Sequence, residues 1–240
     1  MVLSDKAVLR AIEEGRVVIH PFQRENLSTS SYDVTLGRWF FRESTPGPGQ
    51  GIFNPYSQRM VQRVWGAQTP QRAERCGEWL ARNQVFAGLL ENIGSEDEII
   101  WIGPGETILA HTNEFIGGKA DVTTMMKARS SMGRNFIEVC KCAGWGDVGY
   151  VNRWTMEITN NSRHYSIPLV VGRRIAQIVF FETEGTLEDR RYQDTGKYQS
   201  LSCLQELMKN WNPIDMLPKM YLDREVVRRD GKPEPSSEQE

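Results

Sequence analysis

"EIIWIGPGETILAHT", residues 98–112, decides the reading of the fold. Both halves are rich in aliphatic, β-branched and aromatic residues. Pro104-Gly105 separates them, so the stretch predicts two strands around a tight turn. The same texture continues outward. "NFIEVCKCAGW" (135–145), "RWTMEITN" (153–160), "SIPLVV" (166–171) and "RRIAQIVFFE" (173–182) are further strand candidates. Upstream, "RVVIHPF" (16–22) reads as a strand stopped by Pro21, and "SSYDVTLG" (30–37) alternates and closes on glycine. Many short strands at close spacing predict a mainly β body, a barrel or jelly roll.

Helical texture interrupts it in three places. Residues 4–14 carry a cap at Ser4, an apolar stripe of Val8, Leu9 and Ile12, and Gly15 as a stop. After a Pro/Gly-dense loop at 44–56, residues 69–84 offer Thr69 as N-cap and Pro70 at the first helical position. Ala73, Cys76, Trp79 and Leu80 follow at helical spacing. Residues 201–211 place Leu204, Leu207, Met208 and Trp211 on one face. The polar, Pro-bearing tail from 228 to 240 is expected to be disordered.

The 240 residues fit one large domain with insertions, and 39% hydrophobic residues give it a core. A net charge of −2 is not the basic balance of a general nucleic-acid binder, although it leaves room for a local anion pocket. No apolar run is long enough to span a membrane. "MVLSDKAVLR" lacks the pattern of a secretory signal, so a cytoplasmic location is expected. Cys76, Cys140, Cys142 and Cys203 are read as reduced thiols; in a strand, Cys140 and Cys142 would share a face and diverge from disulfide geometry.

The polar motifs each admit a bland reading. "ARSSMGRNF" (128–136) sets Arg129 and Arg134 around Ser130 and Ser131. This is either a solvated turn or a pocket for phosphate oxygens. In "RWTMEITN", alternation sends Trp154, Met156 and Ile158 to the core and Arg153, Thr155, Glu157 and Thr159 to the other face. Asp147 sits in the Gly-rich turn "GWGDVGYVN" (144–152), where an aspartate ordinarily caps backbone N–H groups. Gln177 lies in an apolar run and needs a partner. The patterns H-x-E and P-C-x-x-C of the zinc nucleotide deaminases do not occur, nor do Walker A or G-x-G-x-x-G.

Taken together, the segments resemble one family. "SDKAVLRAIEEGRVVIHPF" with "NLSTSSYDVTLG", then "ARSSMGR", "AGWGDVGYVNRWTMEITN", "GRRIAQIVF" and "GKYQ", are similar in order and spacing to the dCTP deaminases of the trimeric dUTPase-like superfamily. The resemblance covers roughly 1–40 and 98–200. It implies a dUTPase-like distorted jelly roll with an N-terminal helix and added helices. The domain would run over 1–202 with an insertion at about 44–92, followed by a C-terminal extension at 203–227.

The resemblance also implies a zinc-independent deamination of dCTP to dUTP and ammonia in a homotrimer whose sites are shared between subunits. Glu157 would be the base, Ser130 and the Ala143 carbonyl would position the water, and Arg134 would reach the reacting end. Asp147 would hold the 3′-hydroxyl. Arg129, Ser131, Met132, Gly133, Tyr150, Thr155, Met156, Gln177, Tyr192, Lys197 and Gln199 would contact the nucleotide, with a lid after Tyr192. Mg²⁺ would ride on the phosphates rather than on protein ligands, and dTTP would be a feedback inhibitor. Alternatives are a bifunctional enzyme forming dUMP and pyrophosphate, a dUTPase, and a non-catalytic nucleotide-sensing trimer. "AGW" at 143–145 resembles the bifunctional branch. Leu201 stands where the family often has a glutamine, the lid is shorter, and Asn152 replaces a common glycine. The insertion carries no family motif and is expected at the rim, outside the shared machinery.

Overall fold

The computed structural model describes residues 1–66, 69–187, 192, 196–199, 201 and 203–227. The tail 228–240 and most of the expected lid lie outside these residues. Helix α1 (Asp5–Glu13) starts where the sequence predicts, with the Ser4 side chain accepting from the Ala7 N–H and Val8 and Ala11 buried. The strands are β1 (Val17–His20), β2 (Tyr32–Arg42), β3 (Gln71–Arg72), β4 (Glu74–Arg75), β5 (Glu98–Ile102), β6 (Thr107–Gly118), β7 (Val122–Ala128), β8 (Ile137–Val139), β9 (Trp145–Gly146), β10 (Val151–Asn160), β11 (Ile167–Val170) and β12 (Arg174–Glu182).

The protein is mainly β. Among the described residues all strand pairs are antiparallel. The large sheet runs β8-β10-β6-β2-β12-β7-β9, with β1 on β6 and β3 on β2; the small sheet runs β11-β5-β4. Register shifts fall in β10 between Arg153 and Thr155, between β2 and β6 at Leu36–Phe40, and in β12 between Arg174 and Ala176. Such bulges bend strands, and here they curl the large sheet around a core that includes Tyr32, Ile116, Met156 and Phe180.

Several boundaries differ from the sequence reading. The two strands of 98–112 lie either side of the Pro104-Gly105 turn as read, but they do not pair with each other: β5 joins the small sheet and β6 the large one. Strand β2 does not close at Gly37. A Cβ there would sit 2.0 Å from the His111 ring, so the glycine lets the strand pass over a buried imidazole and run on to Arg42. Strand β8 stops at Val139, because Cys140, Lys141 and Cys142 take left-handed φ of 70°, 36° and 67°. The two cysteines therefore share no strand face: Cys140 is buried beside Met126 and Cys142 is exposed. All four thiols are free.

The predicted helix at 69–84 is the largest correction. Residues 71–75 are β3 and β4, and helix α3 begins only at Cys76 (Cys76–Arg82). Thr69 caps nothing; Arg75 holds the N-cap position with no side-chain bond. The Ala73 N–H donates to Arg38 O and its side chain enters the main core, so open sheet edges outcompete helical spacing. A helix absent from the sequence reading, α2 (Gln58–Trp65), is capped by Ser57 through the Met60 N–H and ended by Gly66 at φ 59°. The predicted helix at 201–211 is α5 (Leu204–Asn210), with Leu207 buried and Met208 exposed.

The additions cover the protein's own sheet. Val61 of α2 packs with Phe41, Leu109, Met216 and Leu217, flanked by Trp39, Trp65, Trp211 and Tyr221. Among the described residues no helix is long and apolar enough to cross a membrane.

Candidate active site

Strand β10 sets the site. Its alternation buries Trp154, Met156 and Ile158 and turns Arg153, Thr155 and Glu157 outward, where they line a cavity of about 440 Å³. Glu157 faces Leu109 across the β10–β6 pair. Leu109 belongs to the small core built by the additions, so the carboxyl is half-buried against apolar neighbours. Burial pushes its pKa above the ordinary carboxylate range, partly opposed by a backbone hydrogen bond and by the charge of Lys141.

Six of the expected residues meet in this cavity: Ala143, Asp147, Tyr150, Thr155, Glu157 and Tyr192. Tyr150 stands edge-on to Trp154 at 5.3 Å and to Tyr192 at 5.1 Å. Burial raises both phenols, so they stay protonated and can donate. A half-buried carboxyl at Glu157 with its pKa raised by desolvation thus shares one cavity with Ala143 and a second carboxyl at Asp147.

Other expected residues lie elsewhere in the single chain. Helix α4 (Ser130–Arg134) carries Ser130, Ser131, Met132, Gly133 and Arg134. Arg129 and Met132 line a separate cavity of about 490 Å³ with Thr35, Arg173 and Arg174. Buried Asp33 anchors Arg129 at 3.3 Å and Arg174 at 3.0 Å. Gln177 donates to the Ser31 hydroxyl at 3.1 Å. The Met156 side chain is fully buried in the main core, leaving only its backbone available to a ligand. Lys197 pairs with Asp223 of the C-terminal extension. Gln199 is buried, accepting from the Val151 N–H at 2.8 Å and donating to Leu201 O at 2.9 Å. Both of these line a third cavity beside Asn152 and Asp215.

A family model described as dCTP deaminase-like matches residues 2–183. The chain belongs to the dCTP deaminase-like family. A protein of Methanopyrus kandleri named "dCTP deaminase, dUMP-forming" is 31% identical over 202 residues, covering 82% of this chain and 90% of that protein. A Dictyoglomus thermophilum protein of the same name is 29% identical over 204 residues, covering 83% and 90%. The 2′-deoxycytidine 5′-triphosphate deaminase structure from Agrobacterium tumefaciens aligns with TM-score 0.49 and 17% identity, over 78% of this chain and 50% of that one.

The family match ends before Tyr192, and the cavity does not. The extension contributes Trp211, Asp215, Met216 and Pro218 to its lining, and the insertion contributes Trp65. The insertion is thus not confined to the rim: it forms part of the cavity wall. Sequence reasoning assigned none of these residues, nor Asn152 and Arg153. Arg153 was legible in principle, since period 2 puts it on the face of Glu157. Trp65 carried no local signal, and Trp211 was legible only as part of an apolar helical face, where it takes the C-cap position.

His111 is a structural residue. Its Nε2 accepts the Trp39 N–H at 3.3 Å, its Nδ1 donates to Thr112 O at 2.8 Å, and burial lowers its pKa to about 4. Among the described residues no three His, Cys, Asp or Glu groups are placed to hold a metal.

Proposed function

We propose that this protein hydrolytically deaminates dCTP without zinc and carries the product on to dUMP and pyrophosphate. The observation that carries the deamination is the half-buried Glu157, its pKa raised, in one cavity with Ala143 and Asp147. Water adds to C4 of cytosine while Glu157 takes its proton and passes it to N3. The carboxylate then takes the second proton from the new C4 hydroxyl and delivers it to the amino group; the C4–N bond breaks, the C4 carbonyl of uracil forms, and ammonia leaves. This step alone yields dUTP. The second cleavage is favoured because the relatives compared carry the name "dUMP-forming". In it Asp147 activates a further water towards the α-phosphorus, and pyrophosphate departs.

Arg129, Ser130, Ser131 and Arg134 serve the site of an adjacent subunit in a homotrimer. Their separation from the Glu157 cavity in one chain is in keeping with a shared site. Mg²⁺ would ride on the phosphate oxygens, its ordinary ligands, and would offset their charge when bound.

The test is incubation with dCTP and Mg²⁺ and chromatographic separation of the products. Ammonia, dUMP and pyrophosphate in equal amounts are expected. Ammonia with dUTP and no pyrophosphate would strike out the second cleavage. An absence of ammonia would overturn the whole reading.

A further inference from the structure

The Glu157 cavity has an electrostatic problem. Its titratable lining includes three carboxylates, Asp147, Glu157 and Asp215, and among the described residues Arg153 is its one lysine or arginine. A nucleotide polyphosphate cannot settle against carboxylates alone without a cation to offset them. Of the residues expected to contact the nucleotide, Lys197 and Gln199 are engaged here, and Arg129 and Arg134 would reach this cavity only from an adjacent subunit. Lys197 is held by Asp223, and Gln199 is buried with both ends of its amide bonded.

Arg153 is built for the task. Its guanidinium lies 5.0 Å from the ring centre of Phe115 and 4.7 Å from that of Trp211. These cation–π contacts engage its faces and leave the donor edge open. Nε donates to Asn113 O at 3.3 Å, and neither Nη has a hydrogen-bond acceptor among the described residues. Burial disfavours its charge and Arg38 opposes it, while the Glu114 carboxyl favours it. Arg153 and Glu157 share one face of β10, four residues apart, which puts them about 13 Å apart along the strand. That spacing separates a reacting base from an anionic tail.

We propose that Arg153, clamped between Phe115 and Trp211, is an anion-binding residue of this cavity that takes phosphate oxygens of the nucleotide through its free Nη groups. Trp211, from the C-terminal extension, is its positioning residue. The assignment rests on the nucleotide reading above and adds a ligand contact to it.

The experiment is calorimetric binding of dCTP and of deoxycytidine to the full chain carrying Glu157→Gln, so that dCTP is not consumed. Adding Arg153→Gln should weaken dCTP by at least ~10-fold while deoxycytidine changes by less than about twofold, since only one ligand offers the charged acceptor. Arg153→Lys should recover part of the loss. Trp211→Phe should keep most of the affinity for dCTP, and Trp211→Ala should lose part of it. Equal weakening of both ligands would mean a structural role only and would overturn the proposal, as would unchanged dCTP affinity. If Arg153→Gln fails to fold, the lysine and Trp211 variants still decide. A parent chain that binds neither ligand would bring down the nucleotide reading itself, and this assignment with it. A parent that binds both while the Arg153 and Trp211 variants match it defeats this assignment alone.

Discussion

The strand that carries Glu157 and the added segments that wall it in are two different kinds of structure. Strand β10 is paired on both sides, by β6 along most of its length and by β8 at its end. Its functional side chains are aimed by backbone alternation alone. The added wall, α2 with the residues around Trp211–Leu217, is tied down by a small core of Phe41, Val61, Leu109, Met216 and Leu217. The two meet at Leu109, which faces Glu157 on one side and belongs to that core on the other. The comparison teaches a division of labour: a strand paired on both sides presents the Glu157 carboxyl, and local additions wall the cavity around it.

The largest effect should come from the strand. Glu157→Gln keeps the shape and removes the proposed base, so ammonia release should fall by at least ~10²-fold in steady-state assays while dCTP binding survives. A near-normal rate would break the comparison at its first term. The same variant sharpens it through stability. A carboxyl whose folded pKa is raised by burial stabilises the fold below its unfolded pKa, and that contribution is lost as pH rises through the folded value. At neutral pH the ion is thus a burden, and Glu157→Gln should melt slightly higher than the parent.

The wall should fail differently. Met216 is buried, and Met216→Ala should cost about 2–5 kcal/mol in urea unfolding, as expected for a core methionine. Activity and stability should fall together, unlike in Glu157→Gln. A loss below half a kcal/mol would mean that the added core does not hold the wall. Ser57→Ala removes the α2 cap and should cost ~1 kcal/mol by the same measurement. The smallest effect should be on pH dependence. The acid limb of kcat/KM should lie above the ordinary carboxylate range in the parent, since the base must be ionised to act. Met216→Ala should move that limb down as water reaches Glu157. A limb that stays put would show that the desolvation comes from β10 and β6 alone.

Legibility followed the same divide. The faces of β10 and the ends of α1 could be read directly, because alternation and the Ser4 cap act over a few residues. Helix α2 was legible and overlooked: Ser57 and Gly66 bracket it as a cap and a stop. Residues 69–75 misled, since helical spacing of apolar side chains does not reveal that β2 and β5 leave edges open for β3 and β4.

By itself the sequence determined a mainly β chain and the placement of Glu157 opposite Trp154, Met156 and Ile158, because side-chain direction in a strand is a property of the local backbone. Tertiary structure decided the rest of the pocket. Trp65 and Trp211 line it, Arg153 is gripped by Phe115 and Trp211, and Lys197 is taken by Asp223. Each is a contact between segments far apart in the chain. No local pattern encodes such a contact; it exists only once the curled sheet and the small core around Leu109 have brought the segments together.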